Sequence, residues 1–263
     1  MLAYYERKID YLINNHSFMF YELVKRDFTK KYKRTILGML WSILSPLIML
    51  SILAVIFGNF FGRDIPHFVI YLFTGQVIFN YFVESTNEGM RALLDNASIF
   101  TKINVPKYLF LFSKNVSALI NFGIILCIYF VSILISDVSL SWKFLLLIYP
   151  ISCLILINLG IGFILSAVYI FFRDTEYIYR LFTQIVMYGS AIFYDIKFLP
   201  EYLRASFYLN PIFVCIDYFR TIVIFGKIPS LGIHVLLAFY ALGIFFAGCW
   251  VYKKYNYKFL YYV

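Results

Sequence analysis

Long stretches without a single acidic or basic residue alternate along the chain with short charged segments, and that alternation fixes its class. Runs free of Asp, Glu, Lys and Arg cover residues 35–62, 65–83, 115–136, 144–172, 181–194 and 228–252. A helix needs about 20 residues to cross a hydrocarbon core about 30 Å thick. Four of the runs are clearly long enough and 65–83 is adequate. The fifth holds 14 residues and reaches across only if it starts near Tyr177, with the Arg180 side chain stretching to the headgroups. The pattern predicts an all-α membrane protein with six transmembrane helices over residues 35–263, preceded by a charged N-terminal segment over 1–34.

Two segments depart from this simple alternation. Ahead of the first run, residues 18–34 read FMFYELVKRDFTKKYKR. Phe20, Val24 and Phe28 recur every four residues with Leu23 beside them, while Lys25, Arg26, Lys30, Lys33 and Arg34 take the remaining arc. That is a basic amphipathic helix able to lie on an anionic cytoplasmic leaflet. A plain positive-inside anchor needs only a few basic residues, so the organised apolar stripe favours the interfacial helix. Between the fifth and sixth runs, residues 195–227 mix charges with apolar clusters and carry Pro200 and Pro211, which interrupt helical hydrogen bonding. Two re-entrant half-helices dipping in from the outer face fit this segment better than an external loop, because broken backbone at membrane depth is tolerated where protein or a water-filled path covers it.

Composition agrees with the pattern. Hydrophobic residues make up 62% of 263 positions and charged residues 14%, against about 25% charged in an average soluble domain. The net charge of +9 would point to nucleic acid in a soluble protein, but here it is a matter of position. With six spans and the N-terminus inside, the cytoplasmic segments carry 17 Lys and Arg and the outer segments 6, the asymmetry expected when positive flanks stay behind during insertion. Both termini are therefore expected in the cytoplasm. No cleavable signal is read ahead of the first run, so the first span is expected to serve as the insertion signal. The four cysteines, Cys127, Cys153, Cys215 and Cys249, lie within apolar stretches without metal or redox spacing and read as small core or lipid-facing residues. The GxxxG at Gly58 and Gly62 is a weak signal for close helix contact.

The internal charged loop over 87–114 contains Asp95-Asn96-Ala97-Ser98-Ile99-Phe100-Thr101-Lys102, with cap residues ahead of one or two helical turns and Pro106 ending the piece. Its residues fit an ordinary connecting helix, or a docking knob that exposes Ile99 and Phe100. Catalytic signatures are missing. Gly226-Lys227 has Thr221 where a phosphate-cradling loop needs its first glycine, His16, His67 and His234 are scattered, and no metal set or convergent titratable groups can be assembled.

Three stretches together resemble the permease subunits of type-2 ABC exporters that move polysaccharides such as O-antigen, capsule or teichoic acid chains. Tyr32-Lys33-Arg34-Thr35-Ile36-Leu37-Gly38-Met39-Leu40-Trp41, followed by Pro46, looks like the family's basic helix running into an LGxLW…P first span. Asn96 to Lys102 with Pro106 resembles the coupling helix, and Phe172-Arg173-Asp174 and Leu209-Asn210-Pro211 match later motifs. The chain departs from the family at Thr175, where isoleucine is frequent, and near Ala191, where proline is. The resemblance implies a pore subunit for export of a lipid-linked glycan across the bacterial cytoplasmic membrane, with no catalysis of its own. It further implies two copies around one channel, and two ATP-binding subunits that carry the ATP and magnesium and dock on Asp95, Asn96, Ile99, Phe100, Lys102 and Pro106. Interfacial residues would be Lys25, Arg26, Phe28, Lys30 and Arg34. Trp41, Pro46, Tyr188, Tyr194, Phe198, Phe207, Asn210 and Pro211 would line the channel or its outer gate. Membrane lipids are further partners, and nucleic acid is not. The rival classes are a secondary transporter, which would place an ionisable residue inside a span, and a membrane-embedded transferase, which would gather acidic or histidine groups on one face. The apolar runs supply neither.

Overall fold

A computed structural model describes residues 2–33, 36–62, 65–103, 105–136, 138 and 141–262, with backbone only for residues 2–16 and Phe61. Among the described residues the chain is helical, without a strand. Helix α1 (Leu2–Tyr32) leads to Gly38, whose φ of +51° suits a residue without a Cβ, and a 3₁₀ turn then enters α2 (Trp41–Phe61). Next come α3 (Phe68–Asp95), the single-turn α4 (Ala97–Phe100), α5 (Tyr108–Ile135), α6 (Ile148–Phe171) and α7 (Thr175–Tyr188). The short helices α8 (Glu201–Phe207) and α9 (Pro211–Val223) precede α10 (Leu231–Tyr255).

Helix α3 is the axis of the bundle. It touches α2, α5, α6 and α9 and buries 19 of its 28 residues, so its polar positions are read by other helices rather than by lipid. The outer helices bury only a stripe. On α10 the buried residues are Leu237, Ala241, Gly248 and Tyr252, spaced to lie on one helical face, while Phe239, Phe246 and Trp250 point outward. On α2 only Ser42, Leu50 and Leu53 are buried among the residues with described side chains. Helix–helix contact is closest where small residues meet. A Cβ on Gly248 would lie 2.3 Å from the Gly160 carbonyl oxygen, so α6 and α10 touch backbone to backbone, as small residues permit in membranes. Within the single chain the GxxxG at Gly58 and Gly62 makes no such contact at Gly58, where nothing lies within 4 Å of a Cβ. Of the cysteines, Cys153 and Cys215 are buried, Cys249 is half-buried and Cys127 exposed.

Among the described residues five helical stretches, Gly38–Phe60, Phe68–Phe100, Tyr108–Ile135, Trp142–Phe171 and Leu231–Tyr255, are long and apolar enough to cross a membrane. The fifth apolar run differs from its sequence boundaries. Its helix, α7, starts at Thr175 and stops at Tyr188 before the Gly189 turn, so residues 189–194 are not helical. Fourteen residues rise about 21 Å, short of a full crossing. The 195–227 segment splits as its prolines require. Helix α8 buries none of its residues, whereas α9 buries ten of thirteen. Asn210 caps α9 by accepting from the Ile212 N–H at 3.0 Å, and Pro211 takes the first helical position, where no N–H is needed.

Candidate functional site

Two ends of the bundle carry the polar chemistry. At the first, α1 meets the α3–α4 junction and the start of α5. Asn96 is fully buried and does not cap α4. Its Nδ2 donates to the Ala92 carbonyl and its Oδ1 accepts from Arg26 Nη2, both at 2.7 Å. Arg26 also donates to Asp27 Oδ1 at 2.7 Å, and Asp27 Oδ2 accepts from Ser113 Oγ at 3.2 Å. Asp27 is buried beside Leu23, and a buried carboxylate is tolerated only when paired in this way. Arg26, expected to face lipid headgroups, thus holds α1 to the α4 junction. Lys25 and Lys30 remain exposed and Phe28 is half-buried against Tyr32. Arg34 lies outside the described residues.

The α4 turn presents a different face from the one its sequence suggested. Phe100 is 5% exposed, with its ring 6.0 Å from that of Phe110 and the Lys107 ammonium 5.8 Å above it. It anchors the turn instead of forming the knob. The reason is periodicity: in one turn after α3, Phe100 falls on the side of Ala92 and Leu93, which are buried in the same cluster. Ile99 is half-buried, and Ser98, Thr101, Lys102 and Ile103 form the exposed rim. Asp95 is exposed and accepts from Lys114 Nζ at 3.1 Å, which also donates to Glu88 at 2.7 Å. Pro106 is half-buried.

The same end ties α7 to the bundle. Glu176 accepts from Arg91 Nη2 of α3 and, at 2.9 Å, from Tyr169 Oη of α6. These donors, Tyr169 first and Arg91 next, hold its carboxyl below the usual carboxylate range. Tyr179 Oη donates to Thr86 Oγ1 at 2.7 Å. Beyond Tyr179 and Thr183, α7 buries nothing, and Tyr177, Leu181, Ile185 and Tyr188 stand out from the body.

At the opposite end, Arg220 of α9 is 3% exposed. Its guanidinium donates to the carbonyls of Ala191 (2.9 Å), Ile192 (3.0 Å) and Tyr71 (3.2 Å) and lies 3.4 Å from the Tyr71 ring centroid. Tyr71 Oη donates to the Tyr194 carbonyl at 2.7 Å. Together they grip the turn after α7, in which Ala191 has φ +47°. A proline cannot adopt that angle, which gives the absence of proline here a backbone reason. Arg220 is one of the six basic residues that the charge pattern assigns to the outer segments. The signal available was its place in a short, mainly apolar helix, with Tyr218-Phe219 before it and Ile222-Val223 just beyond Thr221. Asn210 Nδ2 donates to the Gly189 carbonyl at 3.0 Å, joining α9 to the same turn. Tyr194, Phe207 and Phe213 form an edge-to-face aromatic row with centroids 6.4 and 5.5 Å apart. Phe198 is half exposed and Tyr188 exposed. Pro46 sits inside α2, and Trp41 starts that helix and is exposed. Among the described residues no group of His, Cys, Asp and Glu could hold a metal.

Several long apolar helices, a buried central helix and polar ties concentrated at the two bundle ends define a multi-pass membrane protein whose charged chemistry sits at its faces. Residues 19–224 match the family of ABC-2 type transporters, and the chain belongs to that family, whose members are the non-catalytic permease chains of ABC transporters. It is 26% identical over 241 residues to the O-antigen export system permease protein RfbA of Klebsiella pneumoniae, covering 90% of this chain and 92% of the relative. It is 24% identical to the protein of the same name from Myxococcus xanthus, over 79% and 81% of the two chains. The polysialic acid transport protein KpsM of Escherichia coli is 26% identical over 88% and 91%.

Proposed function

We propose that this chain is the pore subunit of an ATP-driven exporter that moves a lipid-linked polysaccharide across a bacterial cytoplasmic membrane. The observation that carries the substrate class is the comparison itself. Relatives named for O-antigen and polysialic acid transport align along about nine tenths of both chains, so the similarity covers the path and not a shared fragment. Two copies enclose the channel. Helix α7 with the turn after it makes the sixth crossing, α8 and α9 re-enter from the outer face, and both termini are cytoplasmic, in keeping with the 17 to 6 division of basic residues.

ATP hydrolysis belongs to a separate subunit pair, which grips the rim of Ser98, Ile99, Thr101, Lys102 and Ile103. Support for this placement comes from how the rim is braced: Phe100, Asn96 and Asp95 fix the turn to α3, α5 and α1. A push on the rim is therefore passed into the bundle as a rigid displacement. Helix α1 rests on the cytoplasmic leaflet with Lys25 and Lys30 toward the headgroups.

Depletion of the protein tests the function. A lipid-linked glycan polymer is expected to accumulate on the cytoplasmic side, and wild-type surface glycan with no internal accumulation overturns it. The pure chain is expected to hydrolyse no ATP, because it has no phosphate-cradling loop.

A further inference from the structure

A cavity of about 350 Å³ lies where α1 turns into α2, walled on its far side by α3 and α5. That volume falls within the ~300–1,000 Å³ of ordinary ligand sites. Its polar wall is one continuous network. Ser42 Oγ donates to Tyr32 Oη at 2.6 Å, Tyr32 Oη to Asn121 Oδ1 at 2.8 Å, and Asn121 Nδ2 to Glu84 Oε2 at 2.8 Å, while Lys31 Nζ holds the other oxygen of Glu84. Glu84 stands in a helix long and apolar enough to span the bilayer, where an ionisable residue is costly and calls for a reason.

Clamping α1 to α3 accounts for the Lys31–Glu84 pair, but it leaves two features unused. Asn80, one turn before Glu84 on the same face of α3, lines the cavity and makes no side-chain hydrogen bond to any described residue. Trp41 lines it too and is 47% exposed. A free amide, a hydrogen-bonded carboxylate and amide, two hydroxyls and a flat indole are complementary to a ring that carries hydroxyls on its edge and C–H groups on its face.

Charge decides between a sugar and a phosphate. Among the described lining residues Lys31 is the one cation, and Glu84 neutralises it. Among these residues a phosphate or diphosphate would meet a carboxylate with no spare positive charge opposite. We infer that this cavity binds a neutral sugar ring, with Trp41 against the ring face and Asn80, Glu84 and Asn121 on its hydroxyls. The inference rests on the export reading only for its purpose: the site would hold a sugar unit of the glycan where it leaves the cytoplasm for the channel.

The test uses the full-length protein in nanodiscs with Trp142→Phe and Trp250→Phe, so that Trp41 is the sole tryptophan. Glucose, galactose, rhamnose and N-acetylglucosamine are titrated separately, and inorganic pyrophosphate in parallel. A saturable change in Trp41 fluorescence with at least one sugar is expected, weakened about tenfold by Asn80→Ala, the loss of a single hydrogen-bonding group. That substitution leaves the α1 clamp intact, so its folding can be checked by an unchanged melting temperature. No saturable response to any sugar, or a response to pyrophosphate alone, overturns the inference. Glycan export measured in cells with the wild-type and Asn80→Ala chains separates the two readings. Failure of the wild-type chain to support export removes the export reading and leaves the fluorescence result standing. Equal export by both chains, with no sugar response at Trp41, removes the sugar site alone.

Discussion

A guanidinium surrounded by hydrocarbon must place its donors within reach of its own side chain, and Arg220 does so on three backbone carbonyls and one aromatic face. The arrangement depends on the planar fork, which a lysine ammonium lacks. Replacing Arg220→Met leaves those carbonyls without donors and is expected to cost about 3 kcal/mol, with Arg220→Lys recovering little of it. Thermal unfolding of the detergent-solubilised chain measures both, and a melting temperature within error of wild type for either variant contradicts the clamp. Ile99 and Phe100, adjacent in sequence, should behave oppositely. Phe100→Ala empties a buried aromatic site and should destabilise the chain by about 3–5 kcal/mol. Ile99→Asp puts a charge on the proposed docking rim, and is expected to abolish co-purification of the proposed ATPase partner while the melting temperature is kept. Loss of partner binding in both with no loss of stability in Phe100→Ala would return Phe100 to the exposed face.

Among the longer helices, α7 is held most lightly. Its link to the bundle at the first end is the Glu176 cluster and the Tyr179–Thr86 hydrogen bond. Because the folded pKa of Glu176 is depressed, its contribution is complete above the ordinary glutamate value of about 4.3 and fades only as pH falls through the lower folded value. At neutral pH the tie is fully formed. Glu176→Gln should therefore speed amide hydrogen exchange along residues 175–183 at pH 7 while leaving α3 protected, and unchanged exchange in α7 would show that its tether lies elsewhere. The α6–α10 contact is the opposite case. Gly248→Leu cannot be accommodated against the Gly160 carbonyl and is expected to destabilise the fold by at least about 2 kcal/mol, whereas Gly243→Leu, with open space around it, should be tolerated. Equal melting temperatures for the two variants would mean that the helices do not meet at Gly248.

For the whole molecule the proposed gate makes a graded forecast. Single cysteines at Tyr194, Phe198, Phe207 and Phe213, in a background without the native cysteines, should label from outside in the order of their exposure. Phe198, 50% exposed, comes first, and Phe213, 2% exposed, last. Transport should raise labelling at Tyr194 and Phe207, the pair that can part without unfolding α9. Uniform labelling at all four positions, independent of ATP, would make 195–225 an ordinary external loop.

The apolar runs determined the class of this protein unaided, because no soluble fold hides uninterrupted stretches of that length and every backbone group in a bilayer has to be satisfied within a helix. They also determined the amphipathic character of α1 and the break at Asn210-Pro211, both of which are local matters of period and cap. Which side of a short turn faces the protein was not local. Phe100 turned inward because the face of α3 it continues was already buried, and Arg26 found a hydrogen-bond partner in Asn96, 70 residues away. Arg220 and Glu84 gained their roles only from carbonyls, amides and amines contributed by other helices. A charged residue at the margin of an apolar run reads the same whether it meets water or a partner, and only the tertiary structure supplies the partner.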